Sequence, residues 1–228
     1  MYFLFKKKQD AHELDILKRL IADNDVVIDI GANIGFYCEY LSNCVGESGK
    51  VFAFEPDRLN FNRLKQNTIN LKNVSVYNKA VSSQIETLKL YASPLLNVDH
   101  RTFPIDDSSE SYEVEAVSID SFVNNSFAVN FIKMDIQGFE YFALKGMEQT
   151  IKNNPRLKLL MELSPVAMKK AGITTNMLYN WIQEKELKIY YLQDTKVKMA
   201  DQQFFDRVES YTSELQFENI ILTQQNIV

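Results

Sequence analysis

Val26-Val27-Ile28-Asp29-Ile30-Gly31-Ala32-Asn33-Ile34-Gly35-Phe36-Tyr37 holds a strand, a turn and the start of a helix in twelve residues. An apolar, mostly β-branched run ends beside an acid, a Gly-x-Asn-x-Gly turn follows, and a helical pattern continues to Leu41. Gly31 and Gly35 carry no Cβ, so the backbone is expected to turn sharply there and approach a ligand closely. Charge narrows the ligand. A dinucleotide fingerprint seats a pyrophosphate on the amides of such a turn, and the Asp29 carboxylate would repel it. Asp29 suits a cation instead, such as the α-ammonium of an amino-acid-like cofactor, with the helix N-terminus left for that ligand's carboxylate. S-adenosylmethionine carries both groups. The next apolar run, Val51-Phe52-Ala53-Phe54, ends at Glu55, whose carboxylate is placed to accept hydrogen bonds from a ribose diol. Each acid could separately be no more than a helix cap, but two of them at successive strand ends favour a shared ligand.

The chain has 228 residues, 46% of them hydrophobic, enough for one sizeable core, and a single domain over residues 1–228 is expected. A formal net charge of −5 supplies no basic footprint, so no nucleic-acid partner is expected. Only Cys38 and Cys44 occur, both in the helix after the turn, which suits packing in a reducing cytoplasm. The opening MYFLFKKK has its apolar residues ahead of its charges and no apolar run behind them; neither a signal peptide nor an integral membrane segment is expected.

Working outward, apolar residues at helical spacing predict a leading helix over about residues 10–22. Strand two runs from Val51 to Glu55, and Pro56-Asp57 stops it and starts another helix. Strand three is Val74 to Tyr77. This alternation implies parallel strands joined by right-handed crossovers. Ile85–Tyr91 and Tyr112–Ile119 then alternate apolar and polar residues, which predicts a β-hairpin insert over about residues 84–119, its tip running from Ala92 to Ser111. The parallel pattern resumes at Phe131-Ile132-Lys133-Met134-Asp135, with a helical segment over about Phe139–Asn153, a strand over Lys158–Leu163, a helix over Thr174–Glu186, and strands over Leu187–Leu192 and Leu215–Leu222. Phe36 is a candidate wall of the cofactor pocket; Tyr37, Tyr40, Phe52, Phe54 and Trp181 fall at core positions.

The ordered set VVIDIGANIGFY, FAFEPD, Asn67, NKAVSS, SID, IKMDIQGFEYFALKG and LMEL resembles the FkbM-type family of S-adenosylmethionine-dependent methyltransferases over roughly Asp25 to Leu163. The resemblance implies a doubly wound, seven-stranded Rossmann-like α/β sheet with its last strand antiparallel, S-adenosylmethionine as cofactor, and O-methylation of a hydroxyl on a sugar, glycan or small metabolite. It places Asp29, Gly31, Asn33 and Gly35 at the cofactor turn, Glu55 and Pro56 beside the ribose, and Asn78, Ala80 and Val81 along the adenine. Asp135, Gly138, Glu140 and Gly146 match the family's D-x-x-G-x-E-x-x-x-L-x-G block, with Gln137 where that block usually has an acid.

Methyl transfer from a sulfonium is an in-line displacement, so holding acceptor and methyl together supplies much of the rate, and a base helps a hydroxyl acceptor. His100 is assigned as general base and Arg101 as acceptor clamp, both in the hairpin tip, with Asp135 the next candidate base and a further cofactor contact. Glu140 and Glu162 are nearby acids. Asp135 with Glu162 offers oxygen ligands to a divalent ion, but without an obvious third acid no metal is assigned. Two other classes compete: an NAD-type Rossmann oxidoreductase, opposed by Asp29, and a catalytically inactive cofactor-binding interaction domain, opposed by the intact strand-tip polar residues.

Overall fold

The computed structural model describes residues 10–91, 111–193 and 196–227. Ala11–Leu20 forms α1, Val26–Ile30 β1, Phe36–Val45 α2, Lys50–Phe54 β2, Arg58–Asn67 α3 and Val74–Tyr77 β3. Ala80–Val81 (β4), Glu86–Tyr91 (β5) and Ser111–Val117 (β6) follow, then Ile119–Val123 (α4), Phe131–Met134 (β7), Glu140–Lys145 (α5), Glu148–Asn153 (α6) and Lys158–Leu163 (β8). Pro165–Lys170 (α7), Thr175–Glu184 (α8), Lys188–Gln193 (β9), Lys196–Met199 (β10), Gln202–Glu209 (α9) and Glu218–Thr223 (β11) complete the described elements.

The main sheet has the order β10-β9-β11-β8-β7-β1-β2-β3. Neighbours from β8 to β3 run parallel, while β11 lies antiparallel to both β8 and β9. This is the doubly wound sheet with an antiparallel last strand that the resemblance implies, and it holds eight strands rather than seven. The eighth, β10, folds back antiparallel on β9 and forms a short edge bearing Lys196 and Lys198, charges that discourage further pairing. The hairpin insert is present as antiparallel β5 and β6; β4 pairs parallel with β6 and completes a separate three-stranded sheet. The helical segment after β7 divides into α5 and α6 at Gly146, where a Cβ would lie 2.0 Å from the Ser82 carbonyl oxygen. Asp120 then accepts from the amides of Gln149 and Thr150 (3.0 and 2.7 Å) at the start of α6.

Strand alternation sorts the core into two faces. Val27, Phe131 and Leu160 pack with Leu14 and Leu17 of α1 and Leu41 of α2, whereas Ile28, Ile30, Ile132, Met134, Leu159 and Met161 belong to the core on the opposite face. Each such buried side chain contributes roughly 1.5–3 kcal/mol. The same period of two sets Asp29, Lys133 and Glu162 on the α1 and α2 face, and Asp29 is the direct register partner of Lys133. The strand order reverses between β1, which leads to β2 and β3, and β7, which leads to β8. In such sheets the ligand crevice opens at that switch, beyond the carboxyl ends of the strands.

Candidate active site

The strand ends are tied to one another before any ligand is considered. Gly31 N and Ala32 N donate to the Phe54 carbonyl (3.0 and 2.9 Å), Asp135 N to the Ile30 carbonyl (3.0 Å) and Glu55 N to the Tyr77 carbonyl (3.0 Å). Over them opens a cavity of about 350 Å³. Of the expected cofactor residues, Gly31, Asn33, Phe36, Glu55, Pro56, Ala80 and Asp135 line it.

Gly31 (φ +82°) and Gly35 (φ +91°) both have left-handed backbone, the sharp turn expected of them, and each is also hemmed in by the chain itself. A Cβ on Gly31 would lie 2.0 Å from the Asp135 carbonyl oxygen, and one on Gly35 would lie 2.9 Å from Leu64 Cδ1. The first glycine lets the turn pass the end of β7; the second lets α2 begin against α3.

Asn33, also left-handed (φ +51°), donates its amide to Glu55 Oε2 (2.8 Å), while Asp57 N donates to Glu55 Oε1 (2.9 Å). Each carboxylate oxygen keeps a second acceptor direction for a ligand hydroxyl. Burial pushes the Glu55 carboxyl up to about 8, against the lowering effect of those two amides. Asn78 lies behind the wall, where its Nδ2 donates to the carbonyls of Glu55 and Pro56 (2.9 Å each) and braces the segment. Its neighbours Lys79, Ala80 and Val81 line the cavity.

Asp29 lies beneath the turn, fully buried and outside the cavity lining. Its Oδ2 accepts from the Cys38 thiol (3.2 Å), its Oδ1 has no hydrogen-bond partner among the described residues, and the cation across from it is the chain's own Lys133. Burial raises the Asp29 pKa and Lys133 opposes the rise. Lys133 was passed over in the sequence, although a charge inside a four-residue apolar strand was its signal. It is only 4% exposed. Burial disfavours its charge, but Asp135, Asp29, Glu13 and Glu162 together outweigh that and raise its pKa. Its ammonium sits 4.1 Å from the centroid of the Tyr37 ring and 3.9 Å from Asp135 Oδ2.

A second cavity, about 390 Å³, opens on the α1 side of the strand ends. Tyr37, Lys133, Asp135, Glu162 and Phe217 line both cavities; Asp10, His12, Glu13 and Asn219 line only the second. Gln137 Nε2 donates to Asp135 Oδ1 (3.0 Å) and so holds one of its oxygens. Glu162 is pushed up to about 9 by burial and by the neighbouring Asp135 and Glu140 carboxylates. Glu140 lines neither cavity. It accepts from the amides of Ile136 and Gly138 (3.2 Å each), shaping the loop after β7, and burial raises it to about 7. His100 and Arg101 lie outside the described residues. Among the described residues no group of three His, Cys, Asp or Glu side chains is arranged to hold a metal ion.

The description of the Methyltransferase FkbM domain matches residues 29–218. The chain belongs to the FkbM methyltransferase family. The family's methyl donor is S-adenosylmethionine, and the described residues of this FkbM chain suit it: an apolar slot at Pro56, Ala80 and Val81 beside a buried carboxylate with acceptor capacity to spare. The chain is 27% identical over 148 residues to the hexuronic acid methyltransferase AglP of Haloferax volcanii, a match covering 62% of this chain and 59% of that protein. Among solved structures it is similar to the FkbM methyltransferase of Methylobacillus flagellatus, with a TM-score of 0.57 and 18% identity over 89% of this chain and 44% of that one. A similar overlay, with a TM-score of 0.58 and 10% identity over 93% of each chain, relates it to a putative rRNA methylase from Clostridium thermocellum, a likeness of fold alone. The chain thus spans about three fifths of the curated relative and under half of the solved family member. No helix among the described residues is long and apolar enough to cross a membrane.

Proposed function

We propose that the protein is an S-adenosylmethionine-dependent O-methyltransferase that acts in the cytoplasm on a hydroxyl of a sugar or other small metabolite. The observation that carries this function is the meeting of two cavities at Asp135: one framed by the glycine turn and Glu55, the other polar and open on the opposite side. The name of the archaeal relative, a hexuronic acid methyltransferase, supports a sugar-type acceptor.

When bound, S-adenosylmethionine supplies an electrophilic methyl group on a sulfonium, whose sulfur takes back the carbon–sulfur bond electrons. Glu55 would accept from the ribose hydroxyls, with Asn33 beside it, and Pro56, Ala80 and Val81 would offer apolar contact to the base. Asp135 stands on the wall shared by the two cavities, where its carboxylate would accept the proton of an acceptor hydroxyl. The Lys133 ammonium faces that carboxylate from 3.9 Å, at Asp135 Oδ2. His100 as base and Arg101 as clamp are the competing assignment within the same function.

The test compares two variants in a methyl-transfer assay against a panel of glycosides, with S-adenosylhomocysteine affinity measured alongside. Asp135→Asn is expected to lower turnover by roughly 10² or more, as loss of a positioned base does, with His100→Ala close to wild type. The reverse pattern moves the base to His100. Absence of S-adenosylhomocysteine binding by the unmodified chain would remove the methyltransferase function itself.

A further inference from the structure

We propose that the second cavity binds the methyl acceptor and that its wall selects a neutral or amine-bearing polyhydroxyl compound over a sugar acid; this rests on the methyltransferase function proposed above. The first support is Lys133. Its ammonium has three donors, it is almost wholly buried, and it lines both cavities. Yet among the described residues it makes no hydrogen bond: its nearest carboxylate oxygen, Asp135 Oδ2, is 3.9 Å away. The ammonium faces both cavities, and an oxygen-bearing ligand resting against the shared wall would accept from it. An oxygen held there lies where the cofactor cavity begins.

The second support is the composition of the wall. Asp10, Glu13, Asp135 and Glu162 bring four acidic side chains to a wall whose one Lys or Arg among the described residues is Lys133, which also faces Asp29 across the sheet; with its pKa of about 9, Glu162 keeps its proton at neutral pH. Apart from the Lys133 ammonium, the donors of that wall are turned toward its own acids. The Tyr37 hydroxyl donates to Asp10 (2.8 Å) and Asn219 Nδ2 to Glu13 (3.1 Å). His12, exposed on α1, is the remaining described side chain of that wall able to offer an N–H. Ionised carboxylates only accept hydrogen bonds, so they ask the ligand for O–H or N–H⁺ groups. Burial raises the pKa of both Glu13 and Glu162, and neighbouring carboxylates push in the same direction. An incoming ammonium relieves that repulsion; an incoming carboxylate adds to it.

The experiment titrates methyl glucoside, methyl glucosaminide and methyl glucuronide into the full chain saturated with S-adenosylhomocysteine, followed by ligand-observed NMR. The glucuronide is expected to bind about tenfold or more weakly than the glucosaminide, since like charges across an interface suppress the wrong partner. In the Asp10→Asn/Glu13→Gln double variant that gap should narrow to about threefold or less, because two of the four acidic side chains are gone. His12→Trp, which fills the cavity from its exposed rim, should abolish binding of all three sugars and leave S-adenosylhomocysteine affinity unchanged. Glucuronide binding as tight as glucosaminide binding, no sugar binding to the saturated protein, or sugar binding that survives His12→Trp would each overturn the proposal while the methyltransferase function stood. Failure to bind S-adenosylhomocysteine would sink that function and this inference with it.

Discussion

The two halves of the crevice are built on different terms. On the β1–β2 half, hydrogen bonds close on themselves: Glu55 has both oxygens engaged by amides, Asn78 braces the backbone behind it, and Asn67 Nδ2 donates to the Ile34 carbonyl (2.7 Å). On the β7–β8 half, charge is concentrated and incompletely satisfied. Among the described residues Lys133 has no hydrogen bond and the buried Glu140 Oε2 has no partner, and the unpartnered Oδ1 of Asp29 on the adjoining β1 faces the same lysine. A prebuilt half suits a ligand that never changes, here the cofactor. A half with unmet donors and acceptors keeps its strongest interactions for a ligand still to arrive, which is how a site gains orientation and discrimination from a few polar groups.

The largest effect should come from joining the two halves by force. Gly31→Val places a β-branched side chain at φ +82° and drives its Cβ into the Asp135 carbonyl, so the turn and the end of β7 have to separate. We expect a loss of roughly 3 kcal/mol or more of stability, from backbone strain combined with overpacking, and no measurable S-adenosylhomocysteine binding. Chemical denaturation and calorimetric titration check both. Near-native values would show that the two halves are not held at this glycine.

Next is Lys133→Met. If the open half carries catalysis, turnover should fall by about 10² or more, as when a charge-stabilising donor is removed, while S-adenosylhomocysteine affinity moves little. Removing the ammonium also takes the opposing charge from buried Asp29, its register partner, and an uncompensated buried charge costs on the order of 3–5 kcal/mol. The Lys133→Met/Asp29→Asn double variant should therefore recover much of the stability and none of the turnover. Recovery of both would mean that Lys133 serves packing alone.

This division explains what the sequence disclosed. The β1–β2 half was legible because its determinants are local: a β-branched run, a glycine turn and an acid at each strand end occupy contiguous stretches. Lys133 was not, because its significance arises from pairing with Asp29 more than a hundred residues earlier and from Glu13 and Tyr37 packing over it. Within Phe-Ile-Lys-Met it reads as one polar position in a strand. The ligand expected opposite Asp29 is for the same reason the chain's own lysine. The break at Gly146 depends on the Ser82 backbone, and β10, only four residues long, exists because β9 offers it an edge. Neither cause is visible within its own segment.

Glu55 offers a smaller and more graded test of the closed half. Glu55→Ala should weaken S-adenosylhomocysteine binding by about 1–3 kcal/mol, the usual range for losing a charged hydrogen-bond acceptor in a buried site. The pH dependence follows from its raised pKa of about 8 against an ordinary 4.5. Between those values the folded chain holds a proton that the unfolded chain has released. Its contribution to stability is complete below about 4.5 and is lost as pH rises through about 8. Ribose hydroxyls donate to the ionised form, so S-adenosylhomocysteine affinity should increase over the same upper range, from pH 6 to about 8. Glu55→Gln should flatten both trends. An affinity rise that persists in Glu55→Gln would place the titrating group elsewhere.

The smallest expected effect asks where the closed half ends. The Tyr112 hydroxyl, on β6 of the insert, donates to Asp57 Oδ2. Asp57 in turn caps α3 by accepting from Asn60 N through Oδ1 (2.7 Å) and donates its own amide to Glu55. The insert is thereby linked to the ribose acid through a single buried residue. Tyr112→Phe leaves the cap and the amide contact in place and removes one hydroxyl from a buried carboxylate. It should cost about 0.5–1.5 kcal/mol of stability and weaken S-adenosylhomocysteine binding by about threefold or less, since only one intermediate bond is disturbed. Denaturant midpoints and calorimetric affinities for Tyr112→Phe, Glu55→Ala and the double variant give the coupling directly. Additive effects would place the boundary of the cofactor half at Asp57. A Tyr112→Phe loss in affinity as large as that of Glu55→Ala would extend the half into the insert as far as β6.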